Sequence, residues 1–265
     1  MKNILIILAI HFFLASCIDM IKASDEEFYE SVYVQGGGWF EFYGNSETES
    51  LELNDNFTFQ VWFSGQEETG SDANCILSLK GPTSNISVYR NPNINNIIMI
   101  YNNDELLREE ELDIIDFSQN QNFYLLSIIK DENEISMYLN DNQIMEDEST
   151  PLIIQSDEII RPIIGATIND NNNPENLWYG YIDEIRYWNI ALHDTVINFH
   201  NQYPTKVSAS YNSDYLTSLK GLWDFKIDMS TESTDNVFQD IDENPLYTIM
   251  YTLESMSNEL SELGR

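Results

Sequence analysis

Residues 165–192 read GATINDNNNPENLWYGYIDEIRYWNIAL. This stretch opens with an Asp/Asn-rich segment at 169–176 and then enters an apolar run holding Trp178, Tyr179, Tyr181, Ile182, Ile185, Tyr187 and Trp188. Aromatic and β-branched residues at this density between turn formers predict a strand. At period two, one face carries Tyr181, Asp183, Ile185 and Tyr187, and the other Ile182, Glu184, Arg186 and Trp188. Neither face is purely polar, which places the strand inside a sandwich of two sheets rather than at its rim.

The flanking chain repeats the pattern. In Phe57-Thr58-Phe59-Gln60-Val61-Trp62-Phe63 the apolar residues Phe57, Phe59, Val61 and Phe63 share one face at period two, as in a half-buried strand. Cys75–Leu79 and Asn85–Tyr89 form a strand pair joined through Gly81-Pro82. Ile97–Tyr101 is a further strand closed by an Asn102-Asn103-Asp104 turn. Phe123–Ile129 and Glu134–Leu139 pair next, and Asn140-Asp141-Asn142 is a turn whose residues tolerate positive φ. His193–Tyr203 is a short polar stretch for one or two helical turns. Leu216–Phe225 and Tyr247–Leu253 are late strands, and 255–265 is a polar tail.

The wording of 179–192, an aromatic, Gly, Ile-Asp-Glu-Ile-Arg, an aromatic, Trp-Asn and Ala-Leu, resembles the closing motif of laminin-G-like (LamG) domains. These belong to the wider concanavalin-like lectin and glucanase superfamily. Gly36-Gly37-Gly38-Trp39-Phe40 resembles the opening strand of that family, Asn56–Phe63 an inner strand, and Gly221-Leu222-Trp223-Asp224-Phe225 a strand that follows its core. Where LamG domains usually carry Trp-His-His, this chain has Asn122-Phe123-Tyr124. The resemblance spans residues 32–253 and implies an all-β, two-sheet antiparallel β-sandwich, a concanavalin-like jelly roll in one domain. It leaves function open, because that fold hosts lectins, adhesion modules, structural modules and hydrolases.

Charge and the N-terminus bound the partners. The 265 residues carry 12 Lys plus Arg against 45 Asp plus Glu, a formal charge of −33. Nucleic acid and anionic membrane surfaces would be repelled, whereas divalent cations and neutral polymers are compatible. Residues 1–24 read as an export signal and tether: Lys2 precedes an apolar run from Ile4 to Leu14, too short to span a bilayer. The run ends in Leu14-Ala15-Ser16-Cys17, which resembles a bacterial lipobox and implies lipid attachment at Cys17. Membrane contact would then come only through that anchor, with the protein at the outer membrane or cell surface. Cleavage after Ala23 or Ser24, releasing a secreted protein, is the alternative. Residues 25–265 form the single domain. The second cysteine, Cys75, precedes Ile76-Leu77-Ser78-Leu79 and reads as a small buried side chain. In a eukaryotic host the sequons at Asn56 and Asn85 would be glycosylation candidates.

Three constellations could carry chemistry. Glu111-Leu112-Asp113-Ile114-Ile115-Asp116 resembles the E-x-D-x-x-E signature of family-sixteen glucanases, which would make Glu111 the nucleophile, Asp113 its tuning neighbour and Asp116 the acid/base. Retaining hydrolysis sets the outer carboxyls about 5–5.5 Å apart, a spacing that Asp116, one methylene shorter than Glu, would disturb. The run Glu109-Glu110-Glu111 also makes such patterns arise by chance. Calcium, which takes oxygen ligands, is the second constellation. The resemblance implies an acidic residue of the closing strand, Asp183, beside a structural ion, and the loop around Asp170 (169–173) is a further candidate. Third, sugar binding would use exposed aromatics. Trp39, Trp62, Trp178, Trp188 and Trp223 fall in predicted strands, where core packing is the commoner role, whereas Tyr43 and Tyr179 adjoin loops. The expected function is a non-enzymatic cell-surface binding module for polysaccharide or a surface protein. Its alternatives are a divergent β-glucan hydrolase and a structural envelope protein that binds no sugar.

Overall fold

The computed structural model describes residues 32–35, 38–42, 56–65, 74–81, 85–91, 97–103, 105–113, 115, 122–132, 134–147, 161–170, 172–204, 206–208, 214–223, 235–238 and 246–252. In chain order the strands are β1 (Val32–Gln35), β2 (Gly38–Phe42), β3 (Phe57–Gly65), β4 (Asn74–Lys80), β5 (Asn85–Arg90), β6 (Ile97–Asn102), β7 (Glu105–Glu111) and β8 (Tyr124–Asp131). They continue as β9 (Glu134–Leu139), β10 (Asn142–Asp147), β11 (Arg161–Ile164), β12 (Thr167–Ile168), β13 (Pro174–Glu175) and β14 (Tyr179–Trp188). After a helix, α1 (Asp194–Gln202), come β15 (Leu219–Trp223), β16 (Asp235–Phe238) and β17 (Leu246–Thr252).

These strands build two antiparallel sheets. Sheet A runs β1-β14-β3-β8-β9-β10, with β15 also paired to β14; sheet B runs β16-β17-β2-β11-β4-β5-β6-β7. The chain is an all-β antiparallel sandwich of the jelly-roll kind. Between the sheets lies one core, to which β3 gives Phe57, Phe59, Val61 and Phe63, as its period-two pattern predicts. Sheet B answers with Phe40, Phe42, Leu77, Leu79, Val88 and Ile100. Phe42 meets Phe59 and Trp223 edge-on at 5.6 and 4.7 Å between ring centroids. Each such side chain contributes about 1.5–3 kcal/mol by leaving water.

In β14 the strand prediction holds and its parity does not. The register against β3 shifts between Ile182 and Ile185, where Ile182 pairs with Phe63 and Ile185 with Val61. This β-bulge sets two residues, Asp183 and Glu184, opposite one, Trp62. It therefore brings Ile182 into the same core as Ile185 and Tyr187. Two residues earlier, Gly180 (φ 151°) pairs with Gly65, and a Cβ there would lie 2.1 Å from the Ser64 carbonyl oxygen. Only glycine permits that approach.

The polar side of β3 is buried as well, because α1 and its flanks pack on the outer face of sheet A. Trp188, Ile129 and Leu219 meet Leu192 and Ile197 in a second cluster. His193 caps the helix, its Nδ1 accepting from the Thr195 amide at 3.2 Å, and Asp194 sits at the positive end of the helix dipole. Pro204 follows the last turn, where the chain can no longer continue as a helix.

Candidate functional site

The two outer faces differ, and the difference locates the site. On sheet A the covered face is a closed polar network. Thr58 Oγ1 donates to the Ile190 carbonyl and accepts from the Leu192 amide, both at 2.9 Å. Gln60 donates to Ser127 at 3.1 Å and accepts from Trp188 Nε1 at 3.1 Å. His200, stacked on Trp188 at 5.4 Å, has Nδ1 3.0 Å from Gln60 Oε1 and Nε2 3.0 Å from the Val207 carbonyl. The fully buried Arg186 guanidinium lies 4.5 Å from the Trp62 ring centroid and donates to Glu184 and to the Pro204 and Lys206 carbonyls. Burial pulls the Arg186 pKa down, while the charge and hydrogen bond of Glu184 work to keep it protonated. The polar groups named here are engaged with one another or with the backbone.

Sheet B carries a groove instead. A pocket of about 600 Å³ lies between β4, β5 and the β12–β13 hairpin, lined by Lys80, Gly81, Asn85, Tyr89 and Asn103 and, from the hairpin, by Thr167, Ile168, Asn169, Asp170, Asn172, Glu175 and Asn176. On β4 and β5, Ser78 faces Ser87 across the register, their hydroxyls 3.0 Å apart, and both hydroxyls donate to Asn85 Oδ1 at 3.2 Å. Tyr89 meets Tyr101 of β6 edge-on at 5.4 Å.

The hairpin is the segment whose Asn and Asp residues read as a loop, and its fold uses the properties of those side chains. Asn172 and Asn176 take left-handed φ values of 60° and 54°, which Asn tolerates best after Gly. Asn169 Oδ1 accepts from the Asn173 amide at 3.0 Å, Asn169 Nδ2 donates to Glu175 at 2.6 Å, and Asn176 donates to Thr167 at 2.9 Å. Two links tie the hairpin to sheet B: the Cys75 amide donates to the Asn176 carbonyl at 2.8 Å, and Lys80 Nζ to the Ile168 carbonyl at 2.5 Å. Beneath it, Trp39, Ile163, Ala166 and Ile168 form a small apolar cluster with Leu177. The groove wall is therefore set before any ligand arrives.

The sequence candidates fall in scattered places. Glu111 ends β7, the edge strand of sheet B, and is exposed; Asp113 is an exposed turn residue, and Asp116 lies outside the described residues. β6 separates that edge from β5 and the groove. Asp183 lies at the β14 bulge, 6% exposed, its Oδ1 accepting from the Glu184 amide at 2.7 Å. Its expected place on one alternating face with Ile185 and Tyr187 is corrected by that bulge, which shifts the alternation between Ile182 and Ile185. Its charge also acts on the adjacent Arg186. Among the described residues no group of three or more His, Cys, Asp or Glu side chains could hold a metal. Asp170 does line the groove, fully exposed at 104% side-chain accessibility, with Lys80 Nζ at 3.8 Å.

All five tryptophans are buried, none more than 3% exposed, so none is a sugar platform. Tyr179 is half-buried on sheet A; Tyr43 and Cys17 lie outside the described residues. Cys75 is fully buried, and burial pushes its thiol pKa up, which removes it as a nucleophile. Lys80, Asn85, Tyr89 and Asn103 were missed as site residues. Their only sequence signal is amide density near strand ends, shared with many plain turns.

No family model and no curated protein matches the chain. Solved structures with similar strand arrangements include a heptameric SAP-like pentraxin from Limulus polyphemus, 13% identical over 62% of this chain and 82% of that one, TM-score 0.45. Another is domain 4 of an extracellular arabinanase from Geobacillus stearothermophilus, in complex with arabinotriose: 14% identical over 64% and 75%, TM-score 0.46. A third is the CBM40 module of a Ruminococcus gnavus sialidase bound to sialyllactose, 12% identical over 65% and 96%, TM-score 0.47.

Proposed function

We propose that the chain is a non-enzymatic carbohydrate-binding module that holds its glycan in the groove between the β12–β13 hairpin and the outer face of sheet B. The observation that carries this reading is the lining. Amides of Asn85, Asn103 and Asn172, the carboxylates of Asp170 and Glu175, and the Lys80 ammonium surround one aromatic residue, Tyr89. Sugar hydroxyls donate and accept at once, and amides and carboxylates supply both partners in a small space. A tyrosine ring offers an apolar surface for the C–H side of a pyranose or furanose. A concave site with few convergent polar groups is where a small ligand binds.

The same lining supports binding over hydrolysis. A glycosidase needs one carboxyl whose surroundings keep it protonated at working pH. Asp170 is fully exposed and paired with Lys80, and Glu175 is exposed and accepts from Asn169. Lipid attachment at Cys17 would present the groove at the cell surface, where polysaccharide is the expected ligand. Replacement of Cys17 by Ser should then release the chain from membranes into the soluble fraction.

Calorimetric titration of residues 25–265 with arabino-, xylo-, gluco- and galacto-oligosaccharides tests the reading. Tyr89→Ala and Asn103→Gly should each weaken the best ligand about tenfold, equivalent to 1.4 kcal/mol. Glycine is the choice at 103 because Asn103 has φ 48°, where alanine would add strain. Unchanged affinity in both variants places the ligand elsewhere. Loss of binding in EDTA would add a structural calcium, and absence of any glycan binding would favour a surface protein as partner.

A further inference from the structure

Resting on the glycan-binding reading of this groove, we infer that its ligands are neutral sugars and that it discriminates against uronic and sialic acids. A protein that captures an acidic sugar commonly offers the carboxylate a cation with unspent charge, as a bidentate Arg or an open Lys. Among the described residues, the two cations next to the groove, Lys80 and Arg161, are matched already. Lys80 donates to the Ile168 carbonyl at 2.5 Å and faces the Asp170 carboxylate at 3.8 Å. Arg161, beside Lys80 in the β4–β11 register, donates to the buried Glu41 carboxylate at 3.2 Å. Glu41 also accepts from Trp39 Nε1 at 3.2 Å, which holds it toward Arg161.

The remaining charge is negative. Lys80, Asp170 and Glu175 sum to one net negative charge in the lining, inside a chain of formal charge −33. A sugar carboxylate entering there meets like charge at short range, while Lys80 is already shared with Asp170 and offsets less of its lost hydration. A neutral sugar faces neither cost, and its hydroxyls can donate to Asp170 and Glu175 in charge-assisted hydrogen bonds. Asp170 thus has two tasks: it accepts from the ligand, and it neutralises the Lys80 ammonium that an acidic sugar could otherwise use.

The test uses matched pairs that differ by a carboxylate, galacto-oligosaccharides against oligogalacturonides and lactose against sialyllactose. Binding is measured with EDTA present, so that no divalent cation bridges two anions. The neutral member of a pair should bind at least about tenfold tighter at low salt, where charge is least screened. The gap should narrow at higher salt as the neutral affinity stays level. Asp170→Asn, a change at a fully exposed side chain, should narrow it further by returning Lys80 to the acidic sugar. Equal or tighter binding of the acidic member overturns the inference and leaves the glycan-binding reading standing. Absence of binding to every member, by chain whose thermal transition shows it folded, overturns both.

Discussion

Sheet A and sheet B share one core and turn opposite outer faces to their surroundings. On sheet A Thr58 and Gln60 of β3 are drawn into a network under α1, and the three largest side chains there, Trp62, Trp188 and Arg186, are buried. On sheet B the corresponding region holds small serines, half-buried tyrosines and exposed asparagines beside a hairpin that leaves a groove open. The contrast separates two ways of using polar residues. Under α1 they are satisfied within the protein and fix one arrangement, because a lost partner there leaves a buried group uncompensated. Beside the hairpin they are held in place by backbone bonds, with surface left for hydroxyls from outside. Changes under α1 should therefore act on stability, and changes in the groove on affinity.

The largest effect expected is at Trp188. Its indole donates to Gln60, stacks on His200 and fills the cluster with Ile197 and Leu192. Trp188→Ala should lower unfolding free energy by roughly 3–5 kcal/mol in urea titration. The fraction still folded should bind glycan with wild-type affinity, and a parallel loss of affinity would show that the two faces are not separable.

Next in size is the pH dependence set by His200. Burial, helped by the Arg186 guanidinium, pushes its pKa down to about 3. Both ring nitrogens face oxygen acceptors, so the neutral ring donates at one and leaves the other without a proton to share. In the unfolded chain the ring titrates near its ordinary value of about 6.5. Between those values the unfolded state binds the extra proton and the folded state does not. Stability from this group is whole above about pH 6.5 and falls with the pH below it, by at most roughly 1.4 kcal/mol per unit. His200→Gln should flatten that part of the wild-type profile, read as the difference in slope between the two proteins from about pH 6 to 4. Equal slopes would assign the acid sensitivity to carboxylates alone.

The sandwich was legible in the sequence because its signals are local. Phe57–Phe63 shows its inward face at period two, and Asn103 and Asn140 stand where the chain needs left-handed φ values of 48° and 57°. The bulge in β14 was not legible, since one extra residue changes parity without changing composition. Its consequence was specific: Ile182 joined Ile185 and Tyr187 in the core, and the expected placement of Asp183 with them lost its footing. The acidic run at 109–111 concealed the end of β7, because an edge strand with a solvated face carries the same residues as a loop. The groove was the least legible part. Asp170 was read as a loop carboxylate and calcium candidate, while Lys80, far away in sequence, is brought to it through the β4–β11 register. Pairing over such distances is set by the whole fold.

The smallest effect is expected at Glu111, and it bears on the comparison of faces most directly. If sheet B worked as a glucanase cleft, the E-x-D motif would have to stand over the bound sugar. In the structure Glu111 pairs with Ile97 at the sheet edge, beyond β6 from the groove. Its carboxylate is exposed and adjoins Glu110, which Arg108 already contacts. Glu111→Gln should change glycan affinity by less than about twofold and stability by less than about 0.5 kcal/mol, as for an ordinary surface substitution. Reducing-end release from β-glucans should be at background in both proteins. Release by the wild type that the variant lacks would move the active face of sheet B from the hairpin groove to its β7 edge, and would make this chain a hydrolase.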